Sequence, residues 1–184
     1  METKGYTIFT TPIGVCGIAW RQPDDTDSVN CMVTDFQLPE AGTHITESRL
    51  ARRSTAELAD PPTAITALID RVVRHLSGES QDFADVAVDL SRCEPFSREV
   101  YVAARAVPAG QTRSYGALAR LLDQPGVAQA VGQALGNNPI PLIVPCHRIV
   151  AADGKGGGFS THGGLATKAR LLVIEGAMTG DLGL

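Results

Sequence analysis

No run of apolar residues in this 184-residue sequence approaches the roughly 18 needed to span a bilayer, and no charged-then-apolar leader pattern opens it. A soluble protein without a membrane partner is expected, with the cytoplasm as its compartment. Cysteine is scarce. Cys16, Cys31, Cys93 and Cys146 are scattered without paired spacing, which argues against a disulfide framework and a CxxC-type zinc site. No metal and no cofactor are implied. Positive charge is lacking too: the formal net charge is −4, which at face value disfavours a polyanionic partner. The deficit is local, however. Residues 1–90 carry seven Lys and Arg against fourteen Asp and Glu, whereas residues 91–184 carry nine against six, so the second half can approach phosphates that the first repels.

Hydrophobic side chains make up 43 % of the chain, enough for one sizeable domain or two small ones. Tyr6 to Trp20 is apolar and β-favouring, broken by Thr11-Pro12-Ile13-Gly14, and reads as a hairpin. Val29 to Val33 adds a strand. Gln37 to Asp60, polar and holding Arg49, Arg52 and Arg53, reads as a solvated loop or short helix. Asp60-Pro61-Pro62 starts a helix whose Ile65, Leu68, Ile69, Val72, Val73 and Leu76 recur at helical spacing up to Gly78. Val86 to Leu90 reads as a closing strand. The expectation for residues 1–90 is a small structural α/β domain, an antiparallel sheet plus a helix.

Residues 91–184 read as mainly helical. A helix over Phe96–Val107, with Val100, Val102, Ala103 and Val107 inward, ends at Pro108-Ala109-Gly110; Ser114 caps a second over Tyr115–Leu122. Asp123-Gln124-Pro125-Gly126 turns into a third over Val127–Gly136. Helix, short turn, helix is the helix-turn-helix pattern, which also occurs in bundles that never touch DNA. The third helix is unusual in composition. Ala128, Gly132 and Gly136 recur every four residues with Ala130 and Ala134 beside them, and each glycine costs a helix about 1 kcal/mol relative to alanine. Tight packing against Ile140–Val144 accounts for such a face, and so does close approach to a nucleic-acid backbone.

The densest chemistry lies in Ile140 to Val150, where Pro141 and Pro145 stiffen the lead-in to Cys146, His147 and Arg148. A thiol with a reference pKa of about 8.5 needs a neighbouring imidazole or cation to raise its thiolate fraction, and His147 and Arg148 are the adjacent candidates. The plain alternative is a small buried cysteine after an apolar strand.

Asn138-Pro139-Ile140-Pro141, then Pro145-Cys146-His147-Arg148-Ile149-Val150, then Gly163-Gly164-Leu165-Ala166-Thr167-Lys168 closely resemble the O6-alkylguanine-DNA alkyltransferases. The resemblance covers about residues 91–178 well and 1–90 loosely. It implies a winged helix-turn-helix-like catalytic domain over 91–184 behind the α/β domain. It also implies a monomer that acts on double-stranded DNA containing O6-alkylguanine, transferring the alkyl group irreversibly, once, to Cys146. Acceptance of O4-alkylthymine is left open. The resemblance implies that His147 meets the thiol through a water with Glu175 behind it, and that the Tyr115 hydroxyl reaches N3 of a guanine rotated out of the stack. Asn138 becomes a hinge tying the recognition helix to the active-site segment. Ala128, Gln129 and Gly132 face the minor groove, and Arg148, Phe159 and Ser160 fall on the DNA or substrate side. Two departures stand out: Gln129 replaces an arginine that fills the gap left by the flipped base, and Phe159 replaces a tyrosine in a loop about two residues longer than usual. The rivals are a lesion-binding protein without chemistry, whose relatives lack the cysteine, and a thiol hydrolase using the same Cys and His.

Overall fold

Thr11-Pro12-Ile13-Gly14 forms the expected hairpin turn. β1 (Thr3–Thr11) and β2 (Gly14–Gln22) pair antiparallel from Thr3↔Gln22 to Thr11↔Gly14, and the Thr11 hydroxyl donates to the Gly14 carbonyl at 2.6 Å. Gly14 has φ 129° and a Cβ there would lie 2.9 Å from Pro39 Cβ, so backbone and space both require glycine. The computed structural model describes residues 3–23, 31–153 and 158–178. These divide into two compact units, residues 1–81 with 85–90 and residues 82–84 with 91–184. The excursion of 82–84 into the second unit has a local cause: Arg105 Nη2 donates to the Phe83 and Ala84 carbonyls at 3.0 and 3.1 Å.

In the first unit β3 (Met32–Gln37) pairs antiparallel with β2 across a bulge at Ala19/Trp20. It starts later and runs further than the strand expected over Val29–Val33, of which Val29 and Asn30 lie outside the described residues. The sheet is mixed rather than purely antiparallel, because β4 (Glu57–Leu58) pairs parallel with β1 in the order β3-β2-β1-β4. Val86–Leu90 contributes a single bridge, Val88 to Val33, and not a strand; Val33 N–H donates to Ala87 O and accepts in turn from Asp89 N–H through its carbonyl.

The stretch read as a loop or short helix holds α1 (Thr43–Ser54), three turns long. Its charges hid a buried side. Leu50 packs against Tyr6 and Ala19, close enough that a Cβ on Gly17 would lie 2.6 Å from Leu50 Cδ2. Arg53 anchors the last turn through Asp35 Oδ1 at 2.9 Å, Gln37 Oε1 at 3.2 Å and the Phe36 carbonyl at 2.7 Å. α2 (Thr63–Leu76) starts after Pro62 as expected and buries Ile65, Leu68, Val72, His75 and Leu76.

The second unit contains α3 (Pro95–Arg105), β5 (Arg113–Ser114), α4 (Tyr115–Leu121), α5 (Ala128–Gly136), β6 (Ile149–Val150) and α6 (Gly164–Ile174). Proline occupies the first turn of α3, where its missing N–H is harmless. Val100, Tyr101 and Ala104 form the inward face of α3; Val102, expected inward, points outward at 64 % exposure, one helical step past that face. Ser114 Oγ accepts from Ala117 N–H at 3.1 Å and caps α4. α4 and α5 are the helix pair of the helix-turn-helix, and β5 with β6 make a two-residue parallel ladder beside them. No described helix is long and apolar enough to cross a membrane.

Candidate active site

Cys146 is delivered by a tight turn, not by a strand. Leu142 adopts the left-handed region at φ 75°, and Val144 N–H closes back on the Ile140 carbonyl at 2.8 Å. Pro145 leads into one 3₁₀ turn, Cys146–Arg148, in which all three side chains are buried. Asn138, immediately beyond α5, holds this loop at two points. Its Nδ2 donates to Val144 O at 2.9 Å and its Oδ1 accepts from Ile140 N–H at 3.0 Å. The end of α5 is thereby tied to the segment that carries the thiol.

Burial pushes the Cys146 thiol up from its ordinary range, against the opposing pull of the Asn138 amide, the Lys168 ammonium and the backbone N–H groups of Cys146 and His147. The neutral thiol is therefore favoured at rest, with a set of donors and one cation ready for the thiolate. Lys168 is 1 % exposed. Its Nζ donates to the Ile149 carbonyl at 2.6 Å, stands 3.5 Å from the Tyr115 hydroxyl and lies 5.7 Å from that ring's centre. Burial lowers its pKa to about 8. Burial, and then the nearby Cys146, raise the Tyr115 phenol, which keeps its O–H as a donor.

His147 and Arg148 both reach Glu175. His147 Nε2 lies 2.9 Å from Glu175 Oε1, and since a carboxylate only accepts, that nitrogen carries the proton. Arg148 grips the same carboxylate with Nε on Oε2 at 2.9 Å and Nη2 on Oε1 at 2.8 Å, while its Nη1 donates to Val107 O at 2.6 Å. This corrects two expectations. Arg148, 6 % exposed, is committed to the interior and does not face DNA, and the cation beside the thiol is Lys168. His147 has Glu175 behind its ring, as the resemblance implied, and its backbone N–H also favours the Cys146 thiolate.

An open cleft of about 710 Å³ runs along α5, lined among others by Tyr115, Ala128, Gln129, Gly132 and Ser160. Phe159, expected on this wall, is half-buried and is not part of the lining. A Cβ on Gly132 would sit 3.7 Å from the Tyr115 ring, an ordinary contact, so packing inside the chain does not demand glycine there. Tyr115 joins the two places, since it walls the cleft and shares the field of Cys146 and Lys168.

The model of the family described as "6-O-methylguanine DNA methyltransferase, DNA binding domain" matches residues 95–177. A methylated-DNA–protein-cysteine methyltransferase of Mycolicibacterium paratuberculosis is 36 % identical over 170 residues, 92 % of this chain and 91 % of that protein. The chain belongs to the methylated-DNA–protein-cysteine methyltransferase family. Among solved structures, Mycobacterium tuberculosis OGT in complex with DNA is similar at TM-score 0.71 and 32 % identity, covering 94 % of this chain and 93 % of that one. The O6-methylguanine-DNA methyltransferase of Pyrococcus kodakaraensis strain KOD1 is similar at TM-score 0.64 and 29 % identity, covering 95 % and 99 %.

For this methyltransferase chain, the residue that motif reading passed over is Lys168. It stands at the end of the quoted Gly163–Lys168 motif, but only as a match. A signal was available: Leu171 and Leu172 follow at i+3 and i+4, so a helix burying those leucines buries the lysine with them. A lysine on an apolar helical face needs a polar reason.

Proposed function

We propose that this chain repairs DNA by direct damage reversal, taking an alkyl group from O6 of guanine in duplex DNA onto Cys146, as a monomer and once per molecule. What carries the reading is the buried Cys146 thiol with Lys168 and Asn138 beside it, in a chain of the methyltransferase family. The thiol proton passes through a water to the His147 ring, which Glu175 backs, as attack begins. The Sγ–C bond forms while the C–O6 bond breaks, and the departing guanine takes up a proton; alkyl group and hydrogen exchange places between sulfur and base. Charge builds on the guanine during this step, so a donor positioned for it stabilises the transition state more than the ground state. Tyr115, lining the cleft with its O–H intact, is that donor. Asn138 and Lys168 favour the thiolate, and His147 with Glu175 and Arg148 holds the turn that presents it.

An alkyl carbon on O6 lies inside the stacked duplex, so the base must be extruded to meet the sulfur of a residue only 6 % exposed. The α5 cleft is the surface for that approach, with Gln129 next to the vacated position. Intact-mass analysis after mixing with duplex containing O6-methylguanine tests the reading. One methyl on Cys146, at one per protein, is expected. DNA retained with the protein unmodified would overturn alkyl transfer in favour of lesion binding, and repeated turnover would point to a hydrolase.

A further inference from the structure

Helix α5 carries no charged residue from Ala128 to Gly136, yet it lines the cleft. Surfaces that bind DNA usually gain affinity from Lys and Arg against phosphates, so a neutral helix contributes by another route. Val131, Ala134 and Leu135 are buried. On the open side, Ala128, Gly132 and Gly136 end at or before Cβ, which leaves Gln129 and Gln133 as the two long side chains. Asn137 follows, and its Nδ2 donates to the Gln133 carbonyl at 3.1 Å, which folds its side chain back onto the helix. Among the described residues, neither glutamine amide is engaged within the chain. Residues four apart share a helix face and are separated by about 6 Å along the axis. Nucleotides along one strand are spaced by about 3.4 Å, so that separation spans close to two steps of a duplex.

We propose that Gln133 is a specificity-determining residue, reading a base edge about two steps from the one Gln129 meets, so that the pair of amides samples the sequence flanking the lesion. The inference rests on the duplex alkyl-transfer reading above. A primary amide both donates and accepts, so it discriminates between base edges by hydrogen bonding while adding no charge. Gly132 and Gly136 alongside leave no side chain to hold the backbone off, which is what lets two short-reaching amides touch bases.

The test measures single-turnover transfer on duplexes whose base pairs two steps either side of O6-methylguanine are varied, for the unaltered protein and Gln133→Ala, at two salt concentrations, with free O6-benzylguanine as reference. Alanine favours the helix and position 133 is exposed. The unaltered protein is expected to show a spread of rates across the duplexes. Gln133→Ala collapses the spread and lowers the ratio of duplex to free-base rate by roughly threefold to tenfold, the worth of one neutral hydrogen bond, with the same salt slope. A spread or ratio identical to that of the unaltered protein, or a changed salt slope, would overturn the proposal. Transfer to neither substrate by the unaltered protein would instead overturn the alkyl-transfer reading on which it rests.

Discussion

Gly132→Ala sets two consequences of one methyl group against each other. Within the chain the change is favourable. Gly132 is interior to α5, a regular helix, and alanine there gains about 1 kcal/mol of helix propensity. The added Cβ meets its nearest neighbours, Tyr115 Cε1 and Cδ1, at 3.7 and 3.8 Å, so nothing inside must move to admit it. A gain of that size in a chain of this length raises the melting temperature by about 2–4 °C. Toward the outside the same methyl stands on the cleft wall, where a duplex or an extruded base must seat against the helix. Overfilling a close-packed contact costs about 1–3 kcal/mol, which corresponds to roughly 5- to 160-fold slower transfer to lesion duplex. Calorimetric melting and single-turnover transfer on the same preparation read both effects. A lower melting temperature would show that internal packing requires the glycine after all. A higher one with unchanged transfer would show that DNA does not come close at Gly132, and either result refutes the reasoning.

Lys168→Met removes the cation beside Cys146, so the acid limb of the pH–rate profile is expected to move to higher pH, with about a tenfold loss at neutral pH for each unit moved; an unmoved limb would take Lys168 out of the thiolate's environment. The same variant has a stability signature. Because the folded-state pKa of Lys168 is lowered to about 8 from 10.5, the unfolded chain binds more protons above about pH 8. Stability of the unaltered protein therefore gains from this group as pH rises from there, a gain the Met variant lacks in denaturant titrations at pH 7.5 and 9. Tyr115→Phe is expected to slow transfer by roughly ten- to a thousandfold while leaving lesion-duplex affinity nearly intact; equal losses in both would make the hydroxyl a binding group only. Glu175→Gln strips the counter-charge from buried Arg148 and the partner from His147, and a loss of about 3–5 kcal/mol in urea unfolding is expected. A loss below about 1 kcal/mol would mean that the pair is solvated in solution.

Much of the second unit can be read directly from residues. The helices there are set by local rules: Pro95 at the first turn of α3, Ser114 as the cap of α4, the Asp123–Gly126 turn, and glycine at the end of α5. These depend on a few neighbours in sequence, and the expected boundaries fall within two residues of the observed ones. The Pro-Cys-His-Arg segment is legible for the same reason, since its prolines and its motif neighbours are contiguous. The first unit is less legible. α1 looks polar because its Arg49, Arg52 and Arg53 face outward or reach Asp35, Glu40 and Phe36 O, partners distant in sequence. The parallel pairing of β4 with β1 brings together residues some fifty apart, which no local pattern encodes.

For the site, sequence alone singled out Cys146 as the candidate nucleophile, through its contiguous motif neighbours, and showed which helix is stripped of side chains, because residue identity and the absence of Cβ atoms are properties of the residues themselves. Direction and partnership were decided by tertiary structure. Nothing in Cys-His-Arg says that the guanidinium turns inward to Glu175, twenty-seven positions on, or that the cation beside the sulfur comes from Lys168 on α6. The field at a buried thiol depends on distance and burial, and both are set only when α6, the 3₁₀ turn and α4 pack together and exclude water.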